Sequence, residues 1–268
     1  MHRFVIAALV VALAQPVSAI EPQAAVAEAE QFAISNVIST VYHEFGHVFI
    51  DQWALPILGR EEDAADTITT LLLLQAGTAE ADTASRDTVA GYFLSFRLFG
   101  TVEESTDFSD EHGLDVQRAY QMACLLVGGG PDRFGDLAKE AGLDADRVET
   151  CTAEHELALR SWNAMAAPHL AGEGAESAAV AVVYEEATAD YQEIASLLRT
   201  RGVLEGVAEA ITAQFVLPRA LTIRAHICEE ENAYYYADID EISICYEYAQ
   251  LYRDMLLDPD TAGMAAAE

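Results

Sequence analysis

His43 and His47 stand four residues apart, with Glu44 directly after the first. On a helix that spacing puts both imidazoles on one face, where two ring nitrogens can converge on one point. Glu44 lies about 100° round the axis, within reach of a water held there. Two neutral imidazoles and an adjacent carboxylate suit a catalytic zinc: the imidazoles are ligands, and the carboxylate accepts a proton from the attacking water. Such a site also needs a third protein ligand and an open position. Gly59 can turn the chain, and a helix is expected from Arg60 into Leu71-Leu72-Leu73-Leu74. Glu62 and Asp66 are four apart on it and share one flank of its apolar face. Glu62 then serves as the third ligand, while Asp66 accepts a hydrogen bond from the far nitrogen of a ligand histidine. Glu61 is the rival ligand, but it has no acidic partner at the four-residue spacing. Asp63 is expected to face solvent. The competing reading is a buried helix with two structural histidines, or a zinc site without activity.

The pattern His43-Glu44-x-x-His47, then Glu62-x-x-Ala65-Asp66, resembles the gluzincin type of zinc peptidase. The longer run from Pro56 to Asp66 is similar to a bacterial family of predicted metallopeptidases, and the similarity extends more weakly over most of the mature chain. The resemblance implies Zn²⁺ held by His43, His47 and Glu62, with Glu44 as general base. It implies no particular substrate. His112, in the acidic loop Asp110-Glu111-His112, is a candidate for steadying an oxyanion, with a structural or solvated histidine as the alternative. His155, His169 and His226 carry less signal.

The elements that must position these groups are mostly helical. Val26, Phe32, Val37, Ile38, Val41, Phe45, Val48 and Phe49 recur at helical steps, so one helix is expected from Ala24 to about Trp53. Further helices are expected over Asp82–Phe99, Leu114–Val127, Asp132–Ala141 and Asp144–Ala166. Ala171 to Gly174 reads as a linker, and the composition changes beyond it. A strand over Ala179–Tyr184 and helices over Ala187–Arg199 and Val203–Phe215 follow. Strands are then expected at Ala220–Cys228, Ala233–Tyr236 and Ile242–Tyr246, with a last helix over Glu247–Leu257.

Asn232-Ala233-Tyr234 and the strand after it resemble the edge-strand hairpin with which zinc endopeptidases bind substrate main chain. In those enzymes the hairpin precedes the zinc helix, whereas here it comes last. The resemblance implies a circular permutation, with Asn232, Ala233 and Tyr234 lining the substrate cleft. An ordinary hairpin with aromatic cross-strand pairs is the alternative.

His2-Arg3, the apolar run Phe4–Ala14 and Val17-Ser18-Ala19 read as a secretory signal cut after Ala19. The run is too short for a permanent membrane span, and no stable anchor is expected in the mature chain. Four cysteines in an exported chain suggest disulfides, of which the sequence-local pairs Cys124–Cys151 and Cys228–Cys245 are preferred among three possible pairings. The net charge of −31, from 45 acidic and 14 basic residues, would repel nucleic acid and anionic membrane. The expected protein is therefore periplasmic or secreted and acts on a peptide or protein. A secreted binding module with a structural or inactive zinc is the second reading. Its fold is expected to be α+β, mostly helical and zincin-like. A small, mainly antiparallel C-terminal sheet would pack beside the zinc helix. The expected domain is single and covers 20–268, with a helical part over 20–170, an α/β part over 175–258 and a disordered tail over 259–268.

Overall fold

The computed structural model describes residues 22–99, 109–172 and 174–257; the expected signal over 1–19 and the tail over 259–268 lie outside the described residues. The histidine motif sits on α1 (Pro22–Gln52), a helix of 31 residues. Phe32, Val37, Val41, Phe45, Val48 and Phe49 are all buried on it. They point in several directions, so α1 has no single apolar face; it is covered on most sides, as a central core helix must be. Its neighbours are α2 (Glu61–Ala76), α3 (Ala79–Phe99), α9 (Val203–Gln214), β3 (Ala233–Tyr236) and α10 (Tyr246–Leu257).

The approach of α1 to α2 is set by two small residues. A Cβ placed on Gly46 would lie 2.9 Å from the Ala65 Cα and 3.0 Å from its Cβ. Only glycine lets the backbones come this near, and that nearness brings Glu62 and Asp66 up to the histidines. Gly59, in the turn before α2, has φ of +107°, a conformation that side chains other than glycine's rarely adopt.

The helical part continues with α4 (Asp115–Gly129), α5 (Pro131–Phe134), α6 (Leu137–Glu140) and α7 (Ala145–Ala166). The single helix expected over Asp132–Ala141 is thus two short turns. Asp136 accepts a hydrogen bond from the Leu137 backbone N–H and starts α6 as a cap, so the preceding turn ends there. The Cys124–Cys151 disulfide joins α4 to α7, with a Cα–Cα distance of 5.0 Å.

The remainder is β1 (Val180–Tyr184), α8 (Gln192–Arg201), α9, β2 (Leu221–His226), β3, β4 (Glu241–Cys245) and α10. Residues 187–191 precede α8 as loop and turn rather than as part of the expected helix. The four-stranded sheet has the order β1-β2-β4-β3. β1 pairs with β2 and β2 with β4 in parallel; only β3 and β4 pair antiparallel. The sheet is therefore mixed, not mainly antiparallel. Two helices intervene between β1 and β2, and such a crossover returns the chain in the same direction. β3 is an edge strand, and it packs on α1 together with its neighbour β4. The result is an α+β fold, mostly helical, with one small sheet beside the motif helix. One hydrophobic cluster includes residues from both parts, from Phe32 and Leu71 to Ile223 and Ile244.

Candidate metal centre

Helical spacing and the Gly46–Ala65 contact bring three donors together. His43 Nε2 and His47 Nε2 are 3.2 Å apart. Glu62 Oε2 lies 3.0 Å from the first and 3.4 Å from the second. His43, His47 and Glu62 therefore form a group that could hold a metal ion. Two imidazole nitrogens facing each other beside a carboxylate require a cation between them, whether proton or metal.

The other ring nitrogens are anchored. His43 Nδ1 lies 2.8 Å from Asp66 Oδ1, and His47 Nδ1 lies 2.8 Å from Glu61 Oε1. An Nδ1–H donated to each carboxylate turns the Nε2 lone pairs toward the centre. Glu61, weighed above as a rival ligand, thus supports His47 instead. Asp66 is itself held by Arg118, whose Nε and terminal nitrogen donate to its two oxygens at 2.8 Å each. The Arg118 guanidinium also lies over the Tyr92 ring, 4.4 Å from its centroid. Asp63 pairs with Arg60 at the surface, at 2.9 Å.

The electrostatics follow from this packing. Burial opposes a charge on His43, but Asp66 and Glu62 outweigh it and push its pKa up to about 9. His47 is raised as well: burial again opposes the charge, and Glu62 overcomes it. Burial would raise the Glu62 and Asp66 carboxyls, yet both are held well below the usual range. His112, His43 and His47 do this for Glu62, and Arg118 with His43 does it for Asp66. Glu44 goes the other way: burial pushes it up, against the two histidines. It is 5% exposed, and its carboxyl borders the cleft. An environment that separates two neighbouring carboxyls, one ionised and one reluctant to ionise, suits ligand and proton acceptor respectively.

His112 also arrives here. Its Nε2 is 2.9 Å from Glu62 Oε2, with the ring stacked 6.2 Å from that of His43. Arg60 donates to the His112 carbonyl at 3.0 Å and ties this loop to the start of α2. His112 is not among the three converging donors.

A cleft of about 700 Å³ runs over the centre, and its far wall is β3 with the residues beside it: Asn232, Ala233, Tyr234 and Tyr235 line it together with His43, Glu44, His47, Glu62 and His112. Two devices fix this wall. The Tyr235 hydroxyl donates to Asp51 at 2.8 Å, and Arg219 joins Asp51 to Asp240, which also accepts from Gln52 at 3.0 Å. At the other end the Cys228–Cys245 disulfide holds the loop into Asn232, and the Glu247 carboxylate accepts the backbone N–H groups of Cys228 and Glu229. His155 and His169 lie outside the cleft lining; His226 contacts Ser243 at 2.6 Å.

The profile of DUF4344, described as "Putative metallopeptidase", matches residues 7–166 and 184–266. The chain belongs to this family. No curated protein and no solved structure matches it. Two disulfides fit an oxidising, extracytoplasmic compartment, and among the described residues no helix is long and apolar enough to cross a membrane.

Several working residues escaped the sequence reading. Arg118 left one usable signal: in a chain with 14 basic residues, an arginine inside a mostly apolar helix needs a carboxylate partner. The Asp51–Arg219–Asp240 network joins positions 168 apart in sequence and left none.

Proposed function

We propose that the protein is an exported, zinc-dependent peptidase. The observation that carries this reading is the triangle of donors, with edges of 3.0, 3.2 and 3.4 Å. Zinc bonds of about 2.0–2.1 Å at tetrahedral angles put neighbouring ligands about 3.3–3.4 Å apart. Two nitrogens and one oxygen, with the cleft on the remaining side, fit zinc with a position left open. Zinc there supplies Lewis-acid polarisation of the scissile carbonyl and acidifies a water molecule.

The chain's own residues supply the rest. Glu44 accepts the proton from the attacking water and passes it to the leaving amine; burial raises its pKa, which makes it a better proton acceptor. Asp66 and Glu61 hold the tautomers of His43 and His47, and Arg118 keeps Asp66 ionised. His112, beside Glu62, is the proposed donor to the oxyanion. The edge strand β3 pairs with the extended substrate, Asn232 bonds to its main chain, and the small Ala233 leaves room for its approach. On this reading the sheet that precedes the metal helix in related peptidases follows it here, a circular permutation. Residues 20–268 act as a single catalytic unit on peptides or proteins, exported by cleavage after Ala19.

The test is incubation of the mature protein with a mixed peptide library, with and without a chelator, beside the Glu44→Gln variant. Chelator-sensitive cleavage that falls at least ~10²-fold in a variant retaining its zinc is expected. Undiminished cleavage by Glu44→Gln, or none by the zinc-loaded wild type, overturns the proposal.

A further inference from the structure

A second cavity opens off the metal centre. It has a volume of about 190 Å³, the space of roughly six liquid waters. His43, Glu44, His112, Asn232 and Ala233 border both it and the main cleft. Its mouth is therefore where the candidate base meets the start of the edge strand. A peptide paired with β3, with a carbonyl at the metal centre, carries a flanking side chain past that mouth.

The walls define what that side chain should be. They include Tyr92, Tyr248 and Tyr252 together with the carboxylates of Asp115 and Glu231. Arg118 also borders the cavity, but its fork is committed to Asp66 and its face to the Tyr92 ring. It stands 3.9 Å from Asp115, a loose contact. Asp115 also accepts a hydrogen bond from the Ser95 hydroxyl at 2.6 Å, which holds its carboxylate in place. The Tyr248 hydroxyl is paired with Thr40 at 2.6 Å, and the Tyr248 and Tyr252 rings pack at 4.8 Å. Fixed aromatic rings beside an anchored carboxylate attract a cation, through the ring quadrupole and the charge together. An apolar side chain would take water from the Asp115 carboxylate without offering it a further partner, which costs binding.

We infer that this cavity is a subsite for a lysine or arginine side chain flanking the scissile bond, with Asp115 as its specificity-determining residue. The inference rests on the peptidase reading for the placement of the substrate. The net charge of −31 adds to it by drawing cationic peptides toward the surface, without choosing where they bind.

The test separates binding from cleavage. The zinc-loaded Glu44→Gln protein is titrated calorimetrically with peptide pairs that differ only in lysine or norleucine at one position. The lysine peptide should bind at least ~10-fold tighter at one position, about the size of one half-buried charge contact. Asp115→Asn should remove most of that ratio, and Asp115→Lys should turn the preference toward glutamate. Equal affinity for the two peptides at every position, or a ratio unmoved by either Asp115 variant, overturns the subsite. A lysine preference that depends on Asp115, in a protein whose wild type cleaves nothing, supports the subsite and overturns the peptidase reading.

Discussion

The two walls of the cleft are built by different means. The α1–α2 wall holds its groups through helical spacing, a glycine-to-alanine contact and a buried chain of charges from Arg118 through Asp66 to His43. The β3 wall holds its groups through a disulfide, a carboxylate clamp and a surface network around Arg219. The first is close-packed and largely buried. The second is half-exposed, and needs only to present a backbone edge. On the proposed reading, chemistry at a metal would demand the former, and reading a peptide main chain would tolerate the latter.

Damage to the first wall should be the more severe. Replacing His43 and His47 together by alanine removes two of three ligands, so stoichiometric zinc binding should disappear, as checked by metal analysis after gel filtration. Full binding in that variant would remove the wall's role. A smaller effect concerns acidity. In the metal-free protein the His43 pKa stands at about 9, above its ordinary 6.5. The charged form then adds stability that is fully present below pH 6.5 and is lost as pH rises through about 9, in all on the order of 3 kcal/mol. Melting temperatures of the metal-free protein should therefore fall between pH 6 and 9.5. A curve that rises over that window would mean that His43 is not charged there.

Arg118→Met should lower zinc affinity by about 10–100-fold, the range for a lost outer partner of a ligand histidine. Competition with a coloured chelator measures this, with circular dichroism to verify folding. The second wall should give the smallest effect. Asn232→Ala should raise KM or lower kcat/KM by about tenfold or less, the worth of one hydrogen bond to substrate, while zinc content stays at one per chain. Loss of zinc in this variant would show that the two walls are not separable.

The same division explains what the sequence disclosed. The His43, His47, Glu62 and Asp66 group lies within 24 residues on two successive helices, where spacing alone says which side chains share a face. Gly46 and Ala65 hold no chemistry, yet their size sets the distance between those faces. β3 was readable as a strand from its run of aromatic residues. Its position at the sheet edge was implied only by the likeness to a substrate-binding hairpin; local propensity does not give it, because it follows from how β2, β3 and β4 pair over long range. The expectation of a mainly antiparallel sheet failed for the same reason: local β-propensity carries no strand direction. Arg219 and Asp51 meet only after the sheet has docked on α1. No local pattern announces such a pair.

An open strand edge is also an invitation to a second copy of the same chain. β3 carries three consecutive tyrosines, an adhesive segment on a free edge. Glu229, Glu230 and Glu231 precede it, and Asp238 and Asp240 follow in the turn to β4. Two such edges meeting antiparallel would bring these carboxylates face to face. The acidity thus has a colloidal consequence: at neutral pH the molecules keep one another off the strand, leaving it free for an incoming chain. Near the isoelectric point of about 4.3 that guard is lost, and the tyrosine edge becomes the first place for molecules to stick.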